Sequence, residues 1–199
     1  MSRRCPKCGD LHPIVPEGFD PGAPVVFLDI DGVLNSENWM LNRPLDEQNP
    51  ESFHHKYQID PAAVGRLNRL VAEAAPVFIL SSTWRKLLSP EGMTDVLQAR
   101  GFTGVIVGAT GEGEPMQTGW GSVGCERGDE IAAWREKAGH TGPFAVLDDD
   151  SDMNAVREHF IKTSWAVGLL DSDVDQAIRL LKGGVTQVGP PAAPVTQFA

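Results

Sequence analysis

The chain has 199 residues, with 17 Lys and Arg against 27 Asp and Glu, which gives a formal net charge of −10 at pH 7. Hydrophobic residues make up 41% and charged residues 22%, the mixture of a globular domain rather than of a disordered or fibrous chain. The acidic balance argues against a nucleic-acid coat protein and against a basic membrane-surface protein.

Residues 1–23 are rich in Pro, Gly and Cys and are predicted to form an N-terminal extension. Cys5 and Cys8 lie in a Cys-x-x-Cys pair with His12 nearby, which is half of a Zn²⁺ site; the missing ligand would be Cys125 or a residue of a partner chain. The alternative is a flexible extension. Three cysteines make no disulfide framework, and neither a signal core nor a run of about 20 apolar residues is found, so we expect a reducing, cytoplasmic location away from membranes.

Short apolar runs bounded by turn residues predict the strands of a parallel sheet. They are rich in β-branched residues and lack the polar alternation of a strand with one exposed face. The predicted strands are 23–28, 76–80, 104–107, 143–147 and 160–163.

Helical patterns alternate with these runs, because apolar residues recur at helical spacing between them. The first helix begins at Asp60 and Pro61, and the second at Ser89 and Pro90, each a capping side chain followed by proline. Gly101 is the predicted stop of the second helix, and the third is predicted over 127–138. The fourth is predicted to be capped by Ser172 or Asp173 and to stop at Gly183.

Strands alternating with helices predict a doubly wound parallel α/β sheet with right-handed crossovers. This domain is expected to span 24–183, followed by a disordered Pro- and Ala-rich tail at 184–199. In such sheets ligands bind beyond the carboxyl ends of the strands. The residues that follow each apolar run are therefore the candidates for a functional site.

Acidic side chains follow two of the predicted strands. Asp29 and Asp31 follow the first run, and Asp148 and Asp149 follow the fourth. These carboxylates are expected to meet at one edge of the sheet, where their repulsion and lost hydration favour a bound cation. An all-oxygen ligand set with room for water suits Mg²⁺, so the four aspartates are predicted metal ligands.

The first aspartate pair also suits phosphoryl transfer. Asp29, at the end of a rigid strand, can attack phosphorus and form an acyl-phosphate. Asp31 can protonate the leaving oxygen and later accept a proton from the attacking water. Gly32 lets the backbone turn sharply there and is predicted to lie beside the substrate.

Hydroxyl and basic side chains complete the predicted site. Ser81 or Ser82 can donate to a phosphoryl oxygen, and Ser81 is favoured because it directly follows the second apolar run. Arg127, at the start of the third helix, can neutralise the phosphate. Arg85 and Ser82 are predicted to contact substrate, and Trp84 either contacts substrate or belongs to the core.

The run Asp-Ile-Asp-Gly-Val-Leu at 29–34 resembles the first motif of the haloacid dehalogenase (HAD) superfamily of phosphohydrolases. Val-Phe-Ile-Leu-Ser at 77–81 resembles its second motif. Arg127 and the Asp148–Asp149 pair follow in the order of its third and fourth. Four elements in order, each ending a strand or opening a helix, form a specific signal.

More narrowly, Ser-Ser-Thr-Trp-Arg at 81–85 and the segment around 146–153 resemble the HAD domains of RNA-repair and phage-type proteins. These are similar to the phosphatase half of polynucleotide kinase–phosphatases. The resemblance implies a HAD-like fold and a Mg²⁺-dependent phosphomonoester hydrolase that works through an aspartyl-phosphate, on nucleotides or on the terminal phosphates of polynucleotides.

Two features depart from the superfamily pattern. Its third motif is often Lys, and Arg127 keeps the charge while adding a bidentate fork. The intervals between the motifs are too short for a full cap domain, so the loops at 35–58 and 108–126 are expected to form a partial lid at most. The alternative functions are a small-metabolite or phosphoprotein phosphatase and a non-catalytic, metal-holding binding module.

Overall fold

The computed structural model describes residues 11–48, 55–112, 116–118, 121–123 and 125–183. The predictions for Cys5, Cys8 and the tail at 184–199 lie outside these residues.

Each predicted apolar run overlaps a strand, and helices lie between most of these strands. The described strands are β1 (Val25–Leu28), β2 (Val77–Leu80), β3 (Ile106–Ala109), β4 (Met116–Thr118), β5 (Gly121–Val123), β6 (Phe144–Asp148) and β7 (Phe160–Lys162). The described α-helices are α1 (Glu37–Asn42), α2 (Pro61–Ala74), α3 (Pro90–Gln98), α4 (Arg127–Ala138) and α5 (Asp171–Leu181). Short 3₁₀ turns connect them at 45–47, 55–58, 83–86 and 154–159.

Five strands form one sheet in the order β3-β2-β1-β6-β7, and every pairing in it is parallel. The prediction of a parallel α/β sheet is confirmed. Strand β1 is central, and its last residue, Leu28, is aligned with Leu80 of β2 and with Leu147 of β6. The residues that follow these three strands therefore lie side by side at one edge of the sheet.

The sheet is buried on both faces, which explains why its strands are almost wholly apolar. Val26 and Leu28 point into a cluster that includes residues of α2 and α5. Phe27 points to the opposite face, where it packs in a T-shaped contact, 5.5 Å between ring centroids, with Trp134 of α4. Helices thus cover both faces, as in a doubly wound fold.

Several predicted limits are shifted in the structure. The third strand begins at Ile106 rather than at residue 104, because Thr94 of α3 accepts a hydrogen bond from the Ile106 amide (3.0 Å) and fixes the strand's start. Helix α5 begins at Asp171, before both predicted caps, Ser172 and Asp173. The Asp173 carboxylate does make a capping bond, because it accepts from the backbone N–H of Leu170 (2.8 Å), but it does so from inside the first turn of the helix.

Two predicted loops contain regular structure. The interval 35–58 includes α1, whose N-terminal amide at Trp39 donates to the Ser36 hydroxyl. The interval 108–126 includes the antiparallel pair β4–β5.

Residues 11–23, assigned above to the extension, pack against the domain. Ile14 pairs in antiparallel fashion with Ala109, so this segment lies along the outer edge of β3. The indole of Trp134 donates to the Ile14 carbonyl (2.9 Å), and Leu11 is buried. None of the described helices combines the length and the apolar character of a membrane span.

Candidate active site

The strand register brings three predicted side chains together. Asp29, Ser81 and Asp148 stand at the carboxyl ends of β1, β2 and β6. The amide of Asp29 donates to the Leu147 carbonyl (3.0 Å), and the amide of Ser81 donates to the Leu28 carbonyl (2.9 Å). The sheet's own hydrogen bonds therefore fix these positions relative to one another.

Carboxylate oxygens of Asp29, Asp148 and Asp149 lie within 4.8 Å of one another. Asp29 and Asp148 are buried, and Asp149 is half-buried. Hard oxygen ligands at this spacing fit Mg²⁺, which retains several waters besides its protein ligands. The Asp31 carboxylate, also a predicted ligand, is not part of this group of described residues.

Burial and crowding raise the pKa values of this cluster. Burial raises the pKa of Asp29 to about 6, although the Ser82 hydroxyl and the Arg127 charge act in the opposite direction. Burial, together with the charge of Asp29, raises the pKa of Asp148 to about 8. The pKa of Asp149 is also raised, by burial first and by its neighbour second. Three crowded carboxylates of this kind favour an added cation.

Gly32 makes room for one member of the cluster. It has a left-handed backbone, with φ at 67°, and a Cβ built on it would overlap the carboxyl group of Asp149. Its carbonyl accepts from the Thr163 hydroxyl (2.9 Å), and its amide donates to Asn35. Gly32 thus sets the approach of Asp149, and its predicted contact with substrate stays a prediction.

Asp31 is oriented by two side chains. The indole N–H of Trp84 lies 3.1 Å from Oδ1 and 3.0 Å from Oδ2 of Asp31. The side-chain amide of Asn35 donates to Oδ1 (2.7 Å). Asn35 was missed by sequence reasoning, although it closes the turn that begins at Asp31: its backbone carbonyl accepts from the Gly32 amide (2.9 Å).

The two serines after β2 differ in their hydrogen bonds. The Ser82 hydroxyl bonds to Asp29 and accepts from the backbone N–H of Trp84 (3.3 Å). The Ser81 hydroxyl is buried and has no partner, in the part of the chain described. A buried hydroxyl whose hydrogen-bond donor is unused is suited to bind an oxygen of an incoming ligand.

Arg127 is the first residue of α4 and reaches back to the end of β2. Its guanidinium donates to the Ser81 carbonyl, and its Nε lies 3.8 Å from Oε2 of Glu130. The carboxylate of Asp152 accepts from the Arg127 amide (2.9 Å) and so caps the helix. Arg127, the predicted phosphate-binding cation, therefore lies next to Ser81, the serine predicted to donate to a phosphoryl oxygen.

Arg85, predicted to contact substrate, is 4% exposed. Its guanidinium donates to the Ser82 carbonyl (2.8 Å) and to the Glu130 carboxylate (2.8 Å). These contacts join the loop after β2 to helix α4. Glu130 was missed by sequence reasoning, because nothing local marks a partner 45 residues away along the chain.

The sheet, the carboxylate cluster and the adjoining serine and arginine define a HAD-type phosphohydrolase. Residues 25–174 match the model of the HAD domain in Swiss Army Knife RNA repair proteins. The chain therefore belongs to this family, which is one of phosphatase-type hydrolases, and the resemblance stated from the motifs is confirmed. No curated protein and no solved structure matches the chain.

Proposed function

We propose that this protein is a Mg²⁺-dependent phosphomonoester hydrolase that forms an aspartyl-phosphate on Asp29. The observation that carries the proposal is the approach of the Asp29, Asp148 and Asp149 carboxylates to within 4.8 Å at the carboxyl edge of a parallel sheet. Three carboxylates this close repel one another, and a bound Mg²⁺ would offset that repulsion and bind the phosphate as well.

In the first step, a carboxylate oxygen of Asp29 attacks phosphorus while the bond from phosphorus to the ester oxygen breaks. Asp31 gives its proton to that departing oxygen. The Ser81 hydroxyl and the Arg127 guanidinium bind the phosphoryl oxygens and stabilise their charge as the bond to Asp29 forms.

In the second step, water attacks the phosphorus of the aspartyl-phosphate. Asp31, now ionised, accepts a proton from that water, and the bond between phosphorus and Asp29 breaks. Inorganic phosphate leaves and both aspartates return to their starting states. Bound at Asp29, Asp148 and Asp149, Mg²⁺ would offset the repulsion between an anionic phosphate and the carboxylates.

The substrate class follows from the family and from the chain's charge. The matched family is that of HAD domains in RNA repair proteins, which favours a nucleotide or the phosphorylated end of a polynucleotide. A net charge of −10 disfavours long electrostatic contacts with nucleic acid and favours recognition of an end. We place the activity in the cytoplasm, in keeping with the low cysteine content.

Turnover of an aryl phosphate, with and without Mg²⁺, tests the reaction. Asp29→Asn is expected to abolish turnover and to leave the midpoint of thermal unfolding near or above that of the wild type, because it removes a buried charge. The exposed Asp95→Asn is the matched control and should retain full activity. With an aryl phosphate, Asp31→Asn should slow hydrolysis of the aspartyl-phosphate more than its formation, and so accumulate phosphoenzyme, seen by mass spectrometry as one added phosphoryl group. Turnover by Asp29→Asn would refute the nucleophile, and full turnover in EDTA would refute the metal.

A panel of phosphomonoesters tests the substrate class. It contains mononucleotides, oligonucleotides with 3′- or 5′-terminal phosphate, sugar phosphates and a phosphopeptide. A preference for sugar phosphates or the phosphopeptide would favour the metabolite or phosphoprotein alternative. Mg²⁺ binding without turnover of any compound would favour a non-catalytic module.

A further inference from the structure

Trp84 connects the two catalytic aspartates of the proposed reaction. It lies in the 3₁₀ turn Thr83–Lys86 that follows β2, and the residue is 6% exposed. Its indole N–H donates to Asp31, while its backbone N–H donates to the Ser82 hydroxyl that bonds to Asp29. His55 packs edge-on against the indole, 5.4 Å between ring centroids. The indole is therefore held at its N–H by Asp31 and at its ring by His55.

The hydrogen bonds of Asp31 distinguish its two oxygens. Oδ1 accepts from both the Trp84 indole (3.1 Å) and the Asn35 amide (2.7 Å), whereas the indole alone is bonded to Oδ2 (3.0 Å) among the described contacts. The orientation of the Asn35 amide is itself fixed, because its Oδ1 accepts from the Gly32 amide (3.1 Å). An oxygen with two donors has less capacity left to carry a proton than an oxygen with one.

We propose that Trp84 is a positioning residue that holds the Asp31 carboxyl group so that Oδ2 faces the ester oxygen and carries the transferred proton. This inference rests on the proposed function, in which Asp31 is the acid and then the base. Trp84 acts only through Asp31: the indole N–H can donate but cannot accept, so it orients the carboxyl group without exchanging its own proton.

A positioning role for Trp84 has a consequence that a purely structural role lacks. An alkoxide is a poor leaving group and needs the proton from Asp31, whereas 4-nitrophenolate departs without one. Misplacing the acid should therefore slow phosphoenzyme formation from an alkyl phosphate far more than from 4-nitrophenyl phosphate. General damage to the metal cluster or the fold would slow both.

The experiment measures single-turnover phosphoenzyme formation with both esters for the wild type, Trp84→Phe and Trp165→Phe. Trp165 is about half exposed and is the matched control. Trp84→Phe is expected to slow the alkyl phosphate on the order of 10- to 100-fold, part of the full contribution of a general acid, and the nitrophenyl ester only a few-fold. Trp165→Phe should match the wild type with both, and Asp31→Asn should show the Trp84→Phe pattern more strongly.

A second variant guards against loss of the fold. Replacing Trp84 by 3-benzothienylalanine keeps the shape of the indole and substitutes sulfur for the N–H. It should give the same leaving-group pattern with an unchanged midpoint of thermal unfolding. Equal slowing of both esters, or wild-type rates with the sulfur analogue, would overturn the positioning role while leaving the proposed function intact. Absence of wild-type turnover with either ester would overturn both.

Discussion

Replacing Arg85 by methionine removes one half of a buried ion pair. The side chains of Arg85 and Glu130 are 5% and 9% exposed, and Nη2 of Arg85 lies 2.8 Å from Oε2 of Glu130. The change leaves the buried Glu130 carboxylate with Arg127 as a cation at 3.8 Å. It also removes the hydrogen bond that the Arg85 guanidinium donates to the Ser82 carbonyl. Breaking a buried pair from one side costs about 3–5 kcal/mol, a large fraction of the roughly 5–15 kcal/mol that stabilises a domain.

Urea unfolding measures this cost through the shift of the midpoint at an unchanged slope. Lys86, next in the chain, supplies the matched control, because it pairs with Glu112 at 2.7 Å but its side chain is 43% exposed. Lys86→Met should cost no more than about 1 kcal/mol. Adding Glu130→Gln to Arg85→Met should recover part of the loss, because a neutral amide needs no cation.

The same variants separate structural support from substrate contact. If Arg85 acts through the loop after β2, Arg85→Met lowers kcat as Ser82 and Arg127 lose their alignment. A variant that is as stable as the wild type, with a raised KM alone, would refute the reasoning. It would instead support the sequence-based assignment of Arg85 to the substrate.

Three further outcomes are expected. Gly32→Ala should lower the free energy of unfolding in urea by about 1–2 kcal/mol, because residue 32 has a left-handed backbone. It should also weaken Mg²⁺ binding, because the added methyl group displaces Asp149. Gly139, with a similar φ of 62° and open space around it, supplies the control: Gly139→Ala should lower stability without affecting Mg²⁺ binding. Mg²⁺ should raise the midpoint of thermal unfolding, and Asp149→Asn should lose most of that rise in a titration followed by calorimetry. Burial lowers the pKa of His140, whose Nδ1 accepts from Arg135. The neutral imidazole therefore contributes its full stabilisation of the fold above pH 6.5, the ordinary pKa, and this contribution is lost as the pH falls. The free energy of unfolding of His140→Gln should therefore fall less steeply with acid than that of the wild type, by up to about 1.4 kcal/mol per pH unit.

The parts of the fold that depend on local pattern could be predicted from the sequence. The limits 127–138 of α4 are confirmed, because Ile131 and Trp134 at helical spacing supply the buried face. Asp60 caps α2 as predicted, since its carboxylate accepts from the amide two residues on. Residues 11–23 could not be placed, because the bonds of Ile14 to the edge of β3 join segments about a hundred residues apart.

The site divides in the same way. The meeting of Asp29 with Asp148 was predictable, since it follows from the carboxyl ends of parallel strands lying at one edge. The pairing of Arg85 with Glu130 was not, because an arginine after a serine-rich turn looks the same whether it faces substrate or a buried carboxylate. The role of Trp84 was left open for a similar reason: its burial and its bond to another loop are tertiary facts.

The two kinds of support in the site predict different responses to substitution. Asp29 and Asp148 are positioned by the register of the sheet, so their spacing persists as long as the sheet is folded. Asp31 lies beyond the strand and depends on side-chain hydrogen bonds from Trp84 and Asn35. Loss of the Trp84 indole N–H should therefore misplace the Asp31 carboxyl group, the proposed acid, while the carboxylate cluster and the fold remain. Loss of Glu130 should weaken both stability and rate, because its partners link the core helix α4 to the end of β2.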